Sequence, residues 1–135
     1  VIGPNVTHGI IFDFFKKIKQ KKKILKVLGD GNQTKPYIYI EDLISAMNFV
    51  TKKSKSKFNL YLIGPDNSHI SVNKIANIFC SIVSPNTKIK FENKKRGWLG
   101  DVIKYRYDIK KIKSLGWKPE FSSKDSVIKT IKSFL

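Results

Sequence analysis

The 135-residue sequence predicts an α/β fold, because short runs of β-branched and aromatic residues alternate with segments of helical periodicity. Two of the runs, 37–40 and 58–63, have the composition of strands buried within a parallel sheet. Two such strands joined by one helix do not form a stable doubly wound sheet. We therefore expect the sheet to need partner strands from outside these 135 residues.

The N-terminal elements are predicted from apolar spacing and turn residues. Apolar residues from Ile10 to Ile18 recur at helical spacing and indicate a first helix that ends in the lysine run 21–23. A short strand is predicted over 25–28, and the turn-forming residues 29–32 stop it.

Three later helices carry N-terminal signals. Glu41 and Asp42 supply an N-cap and an acidic first turn, and Ser71 caps a second helix. Ser122 and Asp125 have the spacing of a capping box for the last helix. The remaining predictions are a strand over 88–92 and a short helix over 108–115.

The charge is strongly basic, with 27 basic and 10 acidic residues and a net charge of +17. Such a charge suits polyanionic partners, but Arg96 and Arg106 are the only arginines, and base readout favours arginine. The lysines are spread over all segments, as on solvated helix faces. We expect salt-sensitive nonspecific binding to polyanions but no specific nucleic-acid binding. No apolar run approaches the roughly 20 residues of a membrane-spanning helix, so no membrane association is expected.

Cysteine and histidine carry little functional signal. Cys80, the only cysteine, excludes an internal disulfide and suits a reducing cytoplasm, which is the predicted location. It falls in the apolar pattern of a helix, so we expect a buried small hydrophobic residue rather than a reactive thiol. His8 and His69 have no cysteine or carboxylate at ligand spacing, so no metal site is expected.

The glycine pair Gly29 and Gly31 has two possible interpretations. Gly29 and Gly31 match the start of a dinucleotide-binding fingerprint, but Thr34 occupies the third glycine position. Pro36 would interrupt the helix that should follow. A turn is therefore the favoured interpretation of this segment.

Residues suited to binding a nucleoside diphosphate cluster in two loop segments. Lys35 follows a tight turn, and Arg96 shares a glycine-rich loop with Asp101. The Asp101 carboxylate could accept hydrogen bonds from both ribose hydroxyls. Trp98 and Tyr105 add aromatic surface nearby. By composition alone, these remain ordinary loop residues.

Four ordered segments resemble landmarks of the extended short-chain dehydrogenase/reductase family, in its nucleotide-sugar epimerase and dehydratase branch. The segments at 29–43 and 96–102 read GDGNQTKPYIYIEDL and RGWLGDV, similar to that family's GdGxqxRdyiyVdDl stretch and its R-x-GD loop. The segments at 1–4 and 115–119 read VIGP and LGWKP, and they occur in the family's order. The resemblance spans essentially the whole chain and is closest to the UDP-glucose 4-epimerase-like members.

The resemblance implies the C-terminal, substrate-binding portion of such an enzyme. It implies a substrate-binding lobe over approximately 5–36 and 68–135, with elements of a Rossmann-like parallel sheet over approximately 37–64. NAD, the catalytic Tyr-x-x-x-Lys pair and its Ser or Thr would belong to an N-terminal half preceding Val1. We therefore expect no turnover by these 135 residues alone, that half as a partner, and homodimerisation of the intact enzyme.

The resemblance also implies a set of substrate-binding residues: Gly9, Ile10, Val27, Leu28, Lys35, Arg96, Asp101 and Tyr105. Two of them depart from the family pattern. Lys35 replaces an arginine, which keeps the charge but loses the bidentate fork. Arg96 lies five residues before Asp101, where the commoner loop places arginine three residues before it.

The function implied is binding of a UDP- or dTDP-sugar within an NAD-dependent sugar 4-epimerase. A nucleotide-sugar 4,6-dehydratase of the same family is an alternative. Two further alternatives are a lysine-rich module that binds polyanions nonspecifically and a nonfunctional remnant that folds poorly.

Overall fold

The computed structural model describes residues 1–20, 23–92, 94–95, 97, 100 and 102–135. No helix within these ranges has the length and apolar character needed to cross a membrane. The described elements are, in chain order, α1 (Ile10–Lys19), β1 (Ile24–Val27), β2 (Thr34–Lys35), α2 (Ile40–Lys53), β3 (Ile70–Ser71), α3 (Val72–Val83), β4 (Lys88–Phe91), α4 (Lys110–Ser114) and α5 (Ser123–Lys132).

The strands form two small sheets. β1 pairs in parallel with β4, with Ile24 opposite Lys88 and Val27 opposite Phe91. β2 pairs antiparallel with β3. Helices separate the paired strands along the chain, which confirms the α/β class.

The larger hydrophobic core lies between α1, α3, α5 and the inward face of β1. Phe79 of α3 is fully buried at its centre, and its ring meets Phe14 and Phe15 edge to face. The buried members of this core are Ile2, Ile11, Phe14, Phe15, Leu25, Val27, Ile70, Val72, Ile75, Ala76, Phe79, Cys80, Val127 and Ile131.

A second, smaller core joins α2 to α4. Ala46, Ile112 and Trp117 are buried in it together with Ile38 and Ile109. The Trp117 indole N–H lies 3.3 Å from the Ser45 hydroxyl, which accepts its hydrogen bond. Trp117 is thus a packing residue, as many buried tryptophans are.

Two predicted caps are confirmed. The Ser71 hydroxyl accepts a hydrogen bond from the backbone N–H of Lys74 and caps α3. The Ser122 hydroxyl accepts one from the backbone N–H of Asp125 and donates to the Asp125 carboxylate, capping α5. These signals are read correctly from the sequence because the partners are three residues apart.

The strands predicted at 37–40 and 58–63 are not formed. In the first run, Tyr39 makes an isolated parallel bridge with Ile2, and α2 already begins at Ile40. The second run has no ladder partner among the described residues, and its Phe58 is 86% exposed. Strand structure requires a neighbouring backbone. The described residues provide none for 58–63, and for 37–40 they provide only Ile2, which bonds the backbone of Ile38 and Ile40.

The predicted start of α2 is also wrong in one respect. Tyr39 occupies the N-cap position, without a side-chain cap, and Glu41 and Asp42 lie inside the first turn. The buried Asp42 carboxylate accepts hydrogen bonds from the backbone N–H groups of Glu120 and Phe121 at 2.9 and 3.1 Å. It therefore ties α2 to the segment before α5.

Cys80 is expected to resist thiol reagents in the native protein. It is buried on α3, and desolvation by burial raises the pKa of its thiol. Since the thiolate is the reactive form, we expect native Cys80 to react with an aromatic disulfide at least about 100-fold more slowly than in urea. Absorbance of the released thiolate measures both rates. Rapid stoichiometric labelling without denaturant would contradict the buried assignment.

Candidate functional site

A cavity of about 250 Å³ lies where α1 begins and β1 ends. Its lining residues are Gly9, Ile10, Asp13, Phe14, Val27, Leu28, Gln33, Lys35, Tyr37, Val72 and Gly97. Five of these, namely Gly9, Ile10, Val27, Leu28 and Lys35, are predicted site residues. The structure thus brings together residues that are up to 26 positions apart in the sequence, from Gly9 to Lys35.

The shape of the cavity follows from local backbone geometry. Gly9 precedes α1 with a φ of 86°, a conformation that favours glycine. In β1, Leu25 and Val27 point into the core, so Leu28 just beyond the strand is 48% exposed. The turn after it places Gly29 and Gly31 at positive φ, which confirms the turn predicted there. Together these features leave an apolar wall between helix and strand.

Lys35 and Tyr105, both predicted site residues, are neighbours. The Lys35 ammonium lies 5.6 Å from the centre of the Tyr105 ring and donates a hydrogen bond to the backbone carbonyl of Val102. His69 Nε2 lies 2.8 Å from the backbone carbonyl oxygen of Tyr105. The Lys35 ammonium on β2 thus contacts the segment 102–105.

Arg96 and Asp101 lie outside the described residues, and so do Trp98 and Leu99. Gly97 and Val102, in the same motif segment, are among the described residues. Gly97 lines the cavity, and the carbonyl of Val102 accepts the Lys35 hydrogen bond. Lys35 of the first motif segment and Gly97 of the second therefore line the same cavity.

Several lining residues were missed by the sequence reasoning, foremost Gln33. It is 1% exposed, and neither its amide nitrogen nor its amide oxygen has a hydrogen-bond partner. Its place inside the 29–43 segment was the available signal. Tyr37 carries the same signal, because it also lies in the 29–43 segment. Asp13 and Val72 carry no comparable signal, because only tertiary packing brings α1 and the start of α3 to the cavity.

A larger cavity of about 450 Å³ contains none of the predicted site residues. Asp66 and Lys113 line it and already form an ion pair with each other, with Nζ and Oδ2 2.6 Å apart. Its remaining lining is Asn67, Arg106, Tyr107, Asp108, Ile109 and Lys110. Nothing in this mixture of opposite charges singles out a ligand class.

Comparison with known proteins identifies the family. The family model described as GDP-mannose 4,6 dehydratase matches residues 3–130. The chain belongs to the NAD-dependent nucleotide-sugar epimerase/dehydratase family. Both the predicted family and the fold class are therefore confirmed, because the match spans nearly the whole chain.

Individual members of the epimerase/dehydratase family show the same relationship. The chain is 30% identical over 122 residues to UDP-glucuronate 4-epimerase from Thermodesulfobacterium geofontis, covering 90% of this chain and 36% of that one. A crystal structure of UDP-galactose 4-epimerase superposes with a TM-score of 0.80 at 26% identity, covering 98% of this chain and 42% of that one.

A dehydratase of the family shares the fold as well. The dTDP-glucose 4,6-dehydratase from Bacillus anthracis, solved in complex with NAD, has a TM-score of 0.74 at 18% identity, covering 98% of this chain and 41% of that one. This chain thus spans about two fifths of the length of the proteins it matches.

NAD is the cofactor of the epimerase/dehydratase family, but the described residues do not fit a complete dinucleotide site. The turn at Gly29 and Gly31 leads into the short strand β2, whereas a dinucleotide fingerprint leads into a helix. No three His, Cys, Asp or Glu side chains of the described residues lie close enough to share a metal ion.

One Tyr-x-x-x-Lys spacing, Tyr107 to Lys111, does occur in the chain, and its geometry differs from that of a catalytic pair. The Lys111 ammonium donates to the backbone carbonyl of Leu60 and lies 4.6 Å from the Tyr61 ring centre. The Tyr107 ring packs edge to face on Tyr105, outside α4. No proton transfer is assigned to these residues.

Proposed function

We propose that the 250 Å³ cavity binds the nucleoside diphosphate of a UDP- or dTDP-sugar, as the substrate-binding part of an NAD-dependent sugar 4-epimerase. The observation that carries the proposal is the convergence of Gly9, Ile10, Val27, Leu28 and Lys35 on one cavity. The family resemblance implies these five residues without any knowledge of the cavity.

The chemistry of the lining supports this ligand class. Ile10, Val27 and Leu28 offer an apolar surface to a flat base, and Lys35 offers a cation to a diphosphate. Tyr105 beside Lys35 extends the aromatic surface at that end. Within this proposal, Arg96 contacts a phosphate and Asp101 accepts hydrogen bonds from the ribose hydroxyls.

The two hydrophobic cores relate to the proposed domain division in different ways. The larger core draws on residues from 5–36 and 68–135, the proposed substrate-binding lobe, together with Ile2. The second core joins Ile38 and Ala46 from 37–64, the proposed Rossmann-sheet elements, to Ile109, Ile112 and Trp117 from 68–135. We propose that an N-terminal half completes the sheet along these elements.

In the proposed enzyme, this part orients the sugar and neutralises the diphosphate. NAD, held by the N-terminal half, would accept hydride from C4 of the sugar. A cytoplasmic location and homodimerisation of the intact enzyme belong to the same proposal, and the buried free thiol of Cys80 supports the former.

Replacing Lys35 by Ala tests the proposal. UDP should bind the wild-type chain saturably, and the substitution should weaken binding roughly 10- to 100-fold because a charge-assisted contact to phosphate is lost. Isothermal titration calorimetry measures both affinities. Lys35→Arg should retain binding, and Lys57→Ala, on an exposed lysine, is the matched control.

Two outcomes would reject the proposal. One is UDP affinity that is equal in Lys35→Ala and Lys57→Ala. The other is the absence of UDP binding together with binding to any nucleic acid that weakens steeply with salt, which would favour the polyanion-binding alternative suggested by the +17 charge.

The family model described as GDP-mannose 4,6 dehydratase favours a 4,6-dehydratase as the second candidate.

A further inference from the structure

Gln33 lines the cavity, and its side chain ends in an unusual polar group. It is 1% exposed, and both polar atoms of its amide are buried without a hydrogen-bond partner. No other buried side-chain nitrogen or oxygen of the described residues is left in this state. Buried amides in folded proteins are almost always paired, so an unpaired one at a cavity indicates a missing partner.

The surroundings hold this amide in place. A Cβ added at Gly29 would overlap the Gln33 amide nitrogen, so the glycine leaves the space that the amide occupies. The same point lies 3.1 Å from the backbone nitrogen of Gly97, in the second motif. The Gln33 backbone is fixed as well, because its carbonyl accepts a hydrogen bond from Val72 at the start of α3.

The lining of the cavity is mainly apolar. Phe14, Val27 and Val72 contribute apolar side chains, and the polar side chains besides Gln33 are Asp13, Lys35 and Tyr37. A mainly apolar wall that carries a neutral amide suits a heterocyclic base better than a hydroxyl-rich sugar. A glutamine amide pairs bidentately with an edge that offers one donor beside one acceptor.

We infer that Gln33 is the base-recognition residue of the site. Its amide oxygen accepts a hydrogen bond from the ring N–H of a lactam edge, and its amide nitrogen donates to the adjacent ring carbonyl. Uracil, thymine and guanine all carry such an edge. The inference rests on the proposed function and adds to it the atoms that read the base.

Gln33→Met separates this role from a purely structural one. Methionine has similar length and no hydrogen-bonding amide, so removing an unpaired buried group should raise Tm by about 4 °C. The same change should weaken UDP binding roughly tenfold or more, because the base loses two partners. If Gln33 only supported packing, Gln33→Met would lower Tm.

The ligand can be altered in the same experiment. N3-methyl-UDP lacks the lactam donor, so the wild-type chain should bind it roughly tenfold more weakly than UDP. Gln33→Met should bind the two nucleotides about equally. Gln20→Met, at the exposed C-terminal end of α1, is the matched control and should behave as wild type.

The outcomes distinguish this inference from the proposed function. If the wild-type chain binds UDP but does not discriminate against N3-methyl-UDP, the inference is wrong and the proposed function stands. The same holds if Gln33→Met retains the discrimination or lowers Tm. If the wild-type chain binds neither nucleotide, the proposed function is wrong and Gln33 has no base to recognise.

Discussion

Phe79→Ala is expected to lower the free energy of unfolding by about 4 kcal/mol, because truncating a buried phenylalanine removes its contacts and leaves a cavity. Phe79 is fully buried, and its ring contacts Phe14 and Phe15 with centroids 5.4 and 4.9 Å away. These edge-to-face contacts would be lost along with the buried area. Urea denaturation followed by circular dichroism measures the change.

Phe58→Ala is the matched control for Phe79→Ala. The Phe58 side chain is 86% exposed, so the same chemical change should alter the unfolding free energy by less than about 0.5 kcal/mol. Equal losses of unfolding free energy in the two variants would contradict the placement of Phe79 in the core and of Phe58 at the surface. A wild-type chain without a cooperative transition would instead support the poorly folding remnant.

Asp42→Ala is expected to lower the free energy of unfolding by about 3 kcal/mol. The substitution removes the acceptor of two charge-assisted hydrogen bonds and leaves the backbone N–H groups of Glu120 and Phe121 without it. Because these bonds join α2 to the segment before α5, the loss should destabilise the packing of both. Denaturant titration at neutral pH measures the effect.

Glu41→Ala, one residue earlier in the same helical turn, is the control. The Glu41 side chain is 65% exposed, and its oxygen lies 3.6 Å from the Lys129 ammonium. An exposed ion pair of this kind contributes little, so the expected loss is below about 1 kcal/mol. A loss at Glu41 equal to that at Asp42 would refute the bridging role of the Asp42 carboxylate.

Part of the cavity lining could be predicted from the sequence. The family resemblance implies Gly9, Val27 and Lys35 as substrate-binding residues, and the structure places all three around one cavity. Their role in binding stays a prediction. Arg96 and Asp101 remain predictions, since they lie outside the described residues.

Gln33 shows what motif reasoning did not reveal. Its identity was visible within the 29–43 segment, but its burial and its lack of a hydrogen-bond partner are properties of the packed chain. They depend on Gly29 beneath the amide, on Val72 from α3 and on Gly97 from a distant loop. No spacing rule connects these positions.

The sequence by itself determined the α/β class, the capped starts of α3 and α5 and the family, because each depends on periodicity, caps or motifs that act over a few residues. Only the tertiary structure decided which predicted strands form. Both runs, 37–40 and 58–63, have strand composition, but a strand needs a continuous neighbouring backbone. Among the described residues, 58–63 has no such neighbour, and 37–40 pairs only with Ile2 before α2 begins. The tertiary structure likewise decided that the Asp42 carboxylate bonds Glu120 and Phe121 rather than its own helix, because that choice depends on which distant N–H groups packing brings within reach.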